Sequence, residues 1–181
     1  MIGLHSLLRR LQRDARGVAL LEFAFVAPIL LVLFVGGYQL MDATSAYRKV
    51  TRTVRTLGDL TTQSTSLTTA QAYQILNASN KVMAPYPTAN AVLRISQVQI
   101  SATGVATISW SCAMNGNGYI QGSTVSLPTG LNQPNTYLIY SEINYNYVPN
   151  VASGILGPIP LRDSILMSPR NSNSIPMNPA C

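Results

Sequence analysis

The chain is short of charge. Of its 181 residues only 10% are Asp, Glu, Lys or Arg, against about a quarter in ordinary soluble domains. Histidine occurs once, as His5. It lies in a short basic stretch ahead of everything with the pattern of a folded domain, which leaves Ser–His or Cys–His catalysis and His-ligated zinc without a base or a ligand. The six acids are dispersed, the nearest two being Asp14 and Glu22. A catalytic carboxylate pair would therefore have to be assembled by the fold. Neither lysine completes a Ser-x-x-Lys motif, since Ala46 precedes Lys49 and Ala78 precedes Lys81 at that spacing. The glycines of "GNGYIQG" (Gly116, Gly118, Gly122) miss the dinucleotide spacing by one residue, with no helix pattern after them, and read as a turn. The sequence thus offers no catalytic residue, no metal ligand set and no cofactor site, and a non-enzymatic role is expected.

Basic residues outnumber acids, for a net charge of +6. They do not form one patch. Arg9, Arg10, Arg13 and Arg16 precede a long apolar run, and Arg48, Lys49, Arg52 and Arg55 follow it. The tyrosines lie elsewhere and no recognition motif is present, so nucleic acid is not an expected partner. In place of charge the chain carries Ser, Thr, Asn and Gln, a composition suited to an extracytoplasmic surface or a packed assembly. Cys112 and Cys181 are too distant to form a Cys-x-x-Cys motif. In an oxidising compartment one disulfide is the simplest arrangement, two unrelated thiols being the other.

From Phe23 to Met41 no residue is charged. As a helix this run spans about 28 Å, close to the roughly 30 Å hydrocarbon core of a bilayer. It is too long for a signal-peptide core, and no Ala-x-Ala site follows. The four leading arginines argue for a cytoplasmic N-terminus. The bases beyond the run weaken that signal, and the polar, cysteine-bearing remainder tips it outward. Pro28 sits inside the run, where it removes a backbone donor and is expected to kink the helix or orphan the Ala24 carbonyl. Glu22, at the edge of the run, is a costly place for a charge.

The residues around Glu22 carry a resemblance. "RGVALLEF" resembles the processing site of type IV pilin-like proteins, in particular the Tad (Flp) branch, and "EFAFVAP" followed by Leu-rich sequence is similar to the N-terminus of TadE-, TadF- and TadG-like minor pilins (pseudopilins). The resemblance is carried by Arg13 to Ala43. It implies a leader, 1–17, cut between Gly17 and Val18 by a prepilin peptidase, which discards His5. It implies an assembly contact at Glu22 and Phe23, with the carboxylate pairing to a neighbour's new N-terminal ammonium. The implied partners are other pilins or pseudopilins, the Tad inner-membrane assembly platform, the peptidase and inner-membrane lipid. Phe follows the Glu where short major pilins have Tyr, and a large domain follows. Both features point to a minor component concerned with assembly, initiation, or the tip or base of a pilus. The alternative is a single-span anchored extracytoplasmic binding or adhesion module outside any filament.

The remaining pattern fits an α+β fold. The transmembrane helix, 18–41, is expected to continue as an amphipathic extension, 42–60, with Ala43, Ala46, Tyr47, Val50, Val54 and Leu57 on one stripe and a stop near Gly58. This stripe serves either the protein's own domain or another pilin's helix. The extracytoplasmic domain, 61–168, opens with a polar linker and a short helix capped at Thr69, with Ala72, Ile75, Leu76, Val82 and Met83 on its inner side. Strands are expected in "AVLRISQVQI", "VATISWSC", "YLIYSEINYNYV" and "IPLRDSILM". In the second, Ala106, Ile108, Trp110 and Cys112 fall on one face. In the third, Tyr137, Ile139, Ile143, Tyr145 and Tyr147 oppose Glu142, Asn144 and Asn146. In the fourth, Asp163 intrudes on an apolar face. About four antiparallel strands packed on the helices is the expected assembly. The tail, 169–181, is expected to be irregular and stapled to the sheet if its terminal cysteine bonds to Cys112.

Overall fold

The computed structural model describes residues 16–128, 130–151, 157–179 and 181. The expected leader and its His5 lie outside the described residues, except for Arg16 and Gly17, as does the centre of the turn-rich stretch before the last strand. The chain divides into two compact units, 1–42 and 43–181.

Among the described residues two α-helices and four strands follow in order: α1 Arg16–Thr62, α2 Thr69–Met83, β1 Ala91–Ile100, β2 Ala106–Met114, β3 Thr136–Tyr147 and β4 Ile159–Met167. The strands form one antiparallel sheet in the order β2-β1-β3-β4. This is the expected α+β architecture.

The second unit begins in α1. Ala46, Val50, Val54 and Leu57 are buried at helical spacing, the period that puts one stripe against a sheet. Tyr47 does not belong to that stripe and is 47% exposed. Thr53 takes the inner place instead, its hydroxyl donating to the Lys49 carbonyl at 2.8 Å. Nor does α1 stop near Gly58. It runs on to Thr62, because Gly58 is helical and is needed for closeness rather than for a turn. A Cβ there would stand 3.1 Å from Met167 Sδ and 3.3 Å from Ser141 Oγ.

Helix α2 starts one residue from the expected cap. Thr68 is the N-cap: its hydroxyl accepts from Gln71 N, while Gln71 Oε1 accepts from Thr68 N at 2.9 Å. This reciprocal box satisfies two of the four backbone donors left open at a helix start. Ala72, Leu76, Ser79 and Met83 face inward, and the buried Ser79 hydroxyl donates to the Leu76 carbonyl.

The sheet departs from the sequence reading in β2. Gln97 pairs with Trp110 but Val98 pairs with Ile108, so Ser109 is an extra residue, a β-bulge. A one-residue insertion reverses the facing of everything beyond it. Trp110 and Cys112 join Leu93, Ile95, Ile139, Ile143 and Tyr145 in the core shared with α1 and α2. Ala106 and Ile108 face the other way, in a second cluster with Val98, Ile100 and Leu138. The expected single face of β2 is thus split in two. The second cluster is covered by the segment after β2, through Tyr119, Val125 and Leu127. Gly122 N donates to the Ile108 carbonyl and Val125 N to the Ala106 carbonyl, covering part of the β2 edge.

Candidate functional site

In the first unit, Gly17, Val18, Glu22 and Phe23 are consecutive features of α1. Val18 and Glu22 are four residues apart and share a helix face, separated by about 6 Å of rise. Val18 is 55% and Phe23 66% exposed, and Glu22 is also exposed. The same holds for Leu20, Leu21, Phe25, Ile29 and Phe34. The most apolar window of α1 has none of its residues buried, and by length and composition the helix is able to cross a membrane. A helix apolar on all sides requires lipid or neighbouring helices around it. Pro28 lies within α1, which continues as α-helix on both sides of it.

In the second unit the two cysteines meet. Cys112 on β2 and Cys181 are joined as a disulfide with their Cα atoms 5.3 Å apart. Met177 Sδ packs against both sulfurs, 3.4 Å from Cys112 and 3.7 Å from Cys181. Among the described residues the segment leading to Cys181 has no long helix or strand, yet it is tightly held. Ile175 is fully buried. Its N–H donates to Gln97 Oε1 at 2.6 Å and its carbonyl accepts from Trp110 Nε1 at 2.7 Å. Leu67 brackets the segment, donating to the Pro176 carbonyl and accepting from Asn178 N. Sequence reasoning missed this docking. The available signal was one β-branched residue, Ile175, isolated in a Ser-, Asn- and Pro-rich tail.

A polar cluster on the second face of the sheet was also missed. Arg94 and Glu142 face each other across β1 and β3, with Arg94 Nη1 3.5 Å from Glu142 Oε2. The Tyr119 hydroxyl donates to Glu142 Oε1 at 3.0 Å, and the Arg94 guanidinium lies 4.7 Å from the Tyr119 ring centre. That geometry combines an ion pair with a cation–π contact. Tyr119 stacks on Tyr140. Burial, with the Glu142 charge second, pushes the Tyr140 hydroxyl up to about 12. Burial likewise raises Tyr119, reinforced by its hydrogen bond to Glu142. Arg94, Tyr119 and Glu142, with Asn144, Arg162, Asp163 and Ser164, line a cleft of about 460 Å³. Its formal charges balance, Arg94 and Arg162 against Glu142 and Asp163; Arg94 and Glu142 pair with one another, and Asp163 Oδ1 accepts from Ser164 N. Among the described residues no group of three or more His, Cys, Asp or Glu side chains converges as a metal site.

Comparison with known proteins singles out the first unit and the start of the second. No curated protein and no solved structure matches the chain. Over residues 17–57, from the glycine before Val18 to the last buried leucine of the α1 stripe, the chain matches the family model of the TadE-like proteins.

Proposed function

We propose that the chain is a minor pilin or pseudopilin of a Tad (Flp) pilus, cut between Gly17 and Val18 and acting in assembly, initiation, or the tip or base of the filament. The observation that carries this reading is the coincidence of three features. The TadE-like match begins at Gly17. The helix that follows is apolar and unburied. Glu22 is the single charged residue between Gly17 and Met41. Processing creates an ammonium on Val18, and a neighbour's Glu22 neutralises it in apolar surroundings, which offsets the desolvation of both charges. The helix anchors the chain in the inner membrane with its domain outside, and the assembly platform and fellow pilins are its partners. The role is structural rather than catalytic.

Two measurements test this. Mass spectrometry of the protein from its native cell is expected to find Val18 as the N-terminus; an intact leader on every molecule overturns processing. Glu22→Ala is expected to insert in the membrane at the wild-type level while its pilus-associated fraction falls at least tenfold. Unchanged incorporation argues for a plain anchor carrying a binding module.

A further inference from the structure

The loop after β2 carries the chain's two Asn-Gly steps, Asn115–Gly116 and Asn117–Gly118. In such a step the amide nitrogen that follows the asparagine has no Cβ beside it, so it can reach the asparagine side chain. The fold treats the two steps differently.

Asn115 is held. Its Nδ2 donates to the Thr88 and Ala91 carbonyls at 2.9 and 3.0 Å. Gly116 is packed on β1, since a Cβ there would stand 2.6 Å from Val92 Cγ1. Attack on the Asn115 side chain would cost both hydrogen bonds. Asn117 is exposed, and its carboxamide has no hydrogen-bond partner among the described residues. The glycine after it is required by packing, because a Cβ on Gly118 would stand 2.7 Å from the Ser111 carbonyl oxygen. The main-chain carbonyl of Asn117 accepts from Arg94 Nε at 2.8 Å. That arginine is permanently charged, and its side chain is 21% exposed.

We infer that Asn117 is a site of spontaneous deamidation, and that Arg94 directs the product to isoaspartate. The Gly118 amide gives its proton to water or hydroxide, and its nitrogen attacks Asn117 Cγ. The bond from Cγ to the side-chain nitrogen breaks, ammonia leaves and a five-membered succinimide closes. Arg94 draws electrons from the carbonyl conjugated with the attacking nitrogen, which eases loss of that proton. Water then opens the ring. Attack at Cγ gives aspartate. Attack at the main-chain carbonyl carbon gives isoaspartate, with the chain rerouted through Cγ and the old carbonyl released as a carboxylate. Arg94 stabilises the oxyanion at this second carbon. It already lies on the oxygen that becomes the carboxylate, so a hydrogen bond to a neutral acceptor turns into an ion pair. In sum, asparagine and water become isoaspartate and ammonia. Arg94 is then shared between Glu142 and the new carboxylate. None of this depends on leader cleavage or on Glu22.

The test incubates the full chain in detergent micelles at mildly alkaline pH, beside a free peptide of residues 113–121. Fragmentation mass spectrometry locates the exchange of NH2 for OH, and methylation by an isoaspartyl methyltransferase counts isoaspartate. The peptide, which contains both steps unfolded, is expected to convert at both. The folded chain is expected to convert Asn117 at least tenfold faster than Asn115, with an isoaspartate-to-aspartate ratio at least threefold above the peptide's. Arg94→Gln is expected to return that ratio to the peptide's while the Cys112–Cys181 bond still forms. Asn117→Gln, whose ring would need a sixth member, is expected to abolish the isoaspartate signal. Should Arg94→Gln fail to form the disulfide, the wild-type ratio against the peptide decides alone. Asn115 converting as fast as Asn117, or Asn117 intact while the peptide converts, overturns the site. A wild-type ratio equal to the peptide's, or one that survives Arg94→Gln, overturns the role of Arg94.

Discussion

Single residues in this fold act through the environment the sheet gives them, and Tyr140 is the clearest case. Its hydroxyl is held to about 12 by burial and by the Glu142 charge, whereas an unfolded chain releases that proton near 10. The folded state therefore keeps a proton that the unfolded state has lost. The stabilisation is complete below pH 10 and disappears as pH climbs from 10 to about 12. Denaturation midpoints of the full chain in detergent micelles are expected to decline across that interval. Tyr140→Phe is expected to flatten the decline, and Tyr119→Phe with it to flatten it further, since Tyr119 is raised by the same surroundings. An unchanged slope in the double variant would place the titration outside this cluster. At the same scale, Trp110 shows why a buried aromatic with a polar edge needs a partner. Its Nε1 finds the Ile175 carbonyl, and the tail is fixed by the contact that satisfies the indole.

The elements were legible where their period was clean. Strand β1 occupies the expected stretch although its alternation is the less regular, and α1 shows its buried stripe at helical spacing. The Thr68 cap was legible too, since Thr-x-x-Gln is a capping box; beside Thr69 the nearer threonine drew the reading, and the glutamine decides between them. Gly58 looked like a stop because glycine often ends helices. Its role here is the close approach of α1 to Ser141 and Met167, a tertiary constraint with no local signature. The bulge is the deepest omission. Ser109 is neither glycine nor proline, and nothing around it interrupts the alternation from Ala106 to Cys112, so two half-faces read as one. Deleting Ser109 removes only the extra residue: Ile108 and Trp110 then follow one another on opposite faces, as their partners Val98 and Gln97 do. Trp110 and Cys112 keep their side and Ala106 and Ile108 keep theirs. The deletion variant is therefore expected to retain the Cys112–Cys181 bond, seen as thiols unreactive to maleimide without reductant. Ser109→Ala keeps the residue count and is expected to keep the bulge and the bond. A deletion variant that loses the disulfide contradicts this account.

For the second unit as a body, stability depends on how its C-terminal segment is retained. The disulfide closes a loop with a sequence separation of 69, and in the chain-entropy model such a loop contributes about 4 kcal/mol by restricting the unfolded chain. The same segment is held independently by the buried Ile175, by the backbone bonds to Leu67, and by Arg170, whose guanidinium lies 2.6 Å from Asp59 and whose N–H donates to the Thr62 carbonyl. The exposed ion pair adds at most about 1 kcal/mol, so Ile175 and the backbone bonds do most of the non-covalent retention. Cys181→Ser and Ile175→Ala therefore separate the two mechanisms. Cys181→Ser is expected to lower unfolding free energy by about 4 kcal/mol while the amides of Leu67 and Asn178 stay protected from hydrogen exchange, because the bond acts mainly on the unfolded state. Ile175→Ala is expected to cost about 3 kcal/mol and to lower that protection even with the disulfide formed, because it acts on the folded segment. If Cys181→Ser alone releases the two amides, the covalent bond, and not the packing of Ile175 against Trp110 and Gln97, holds the tail to the sheet.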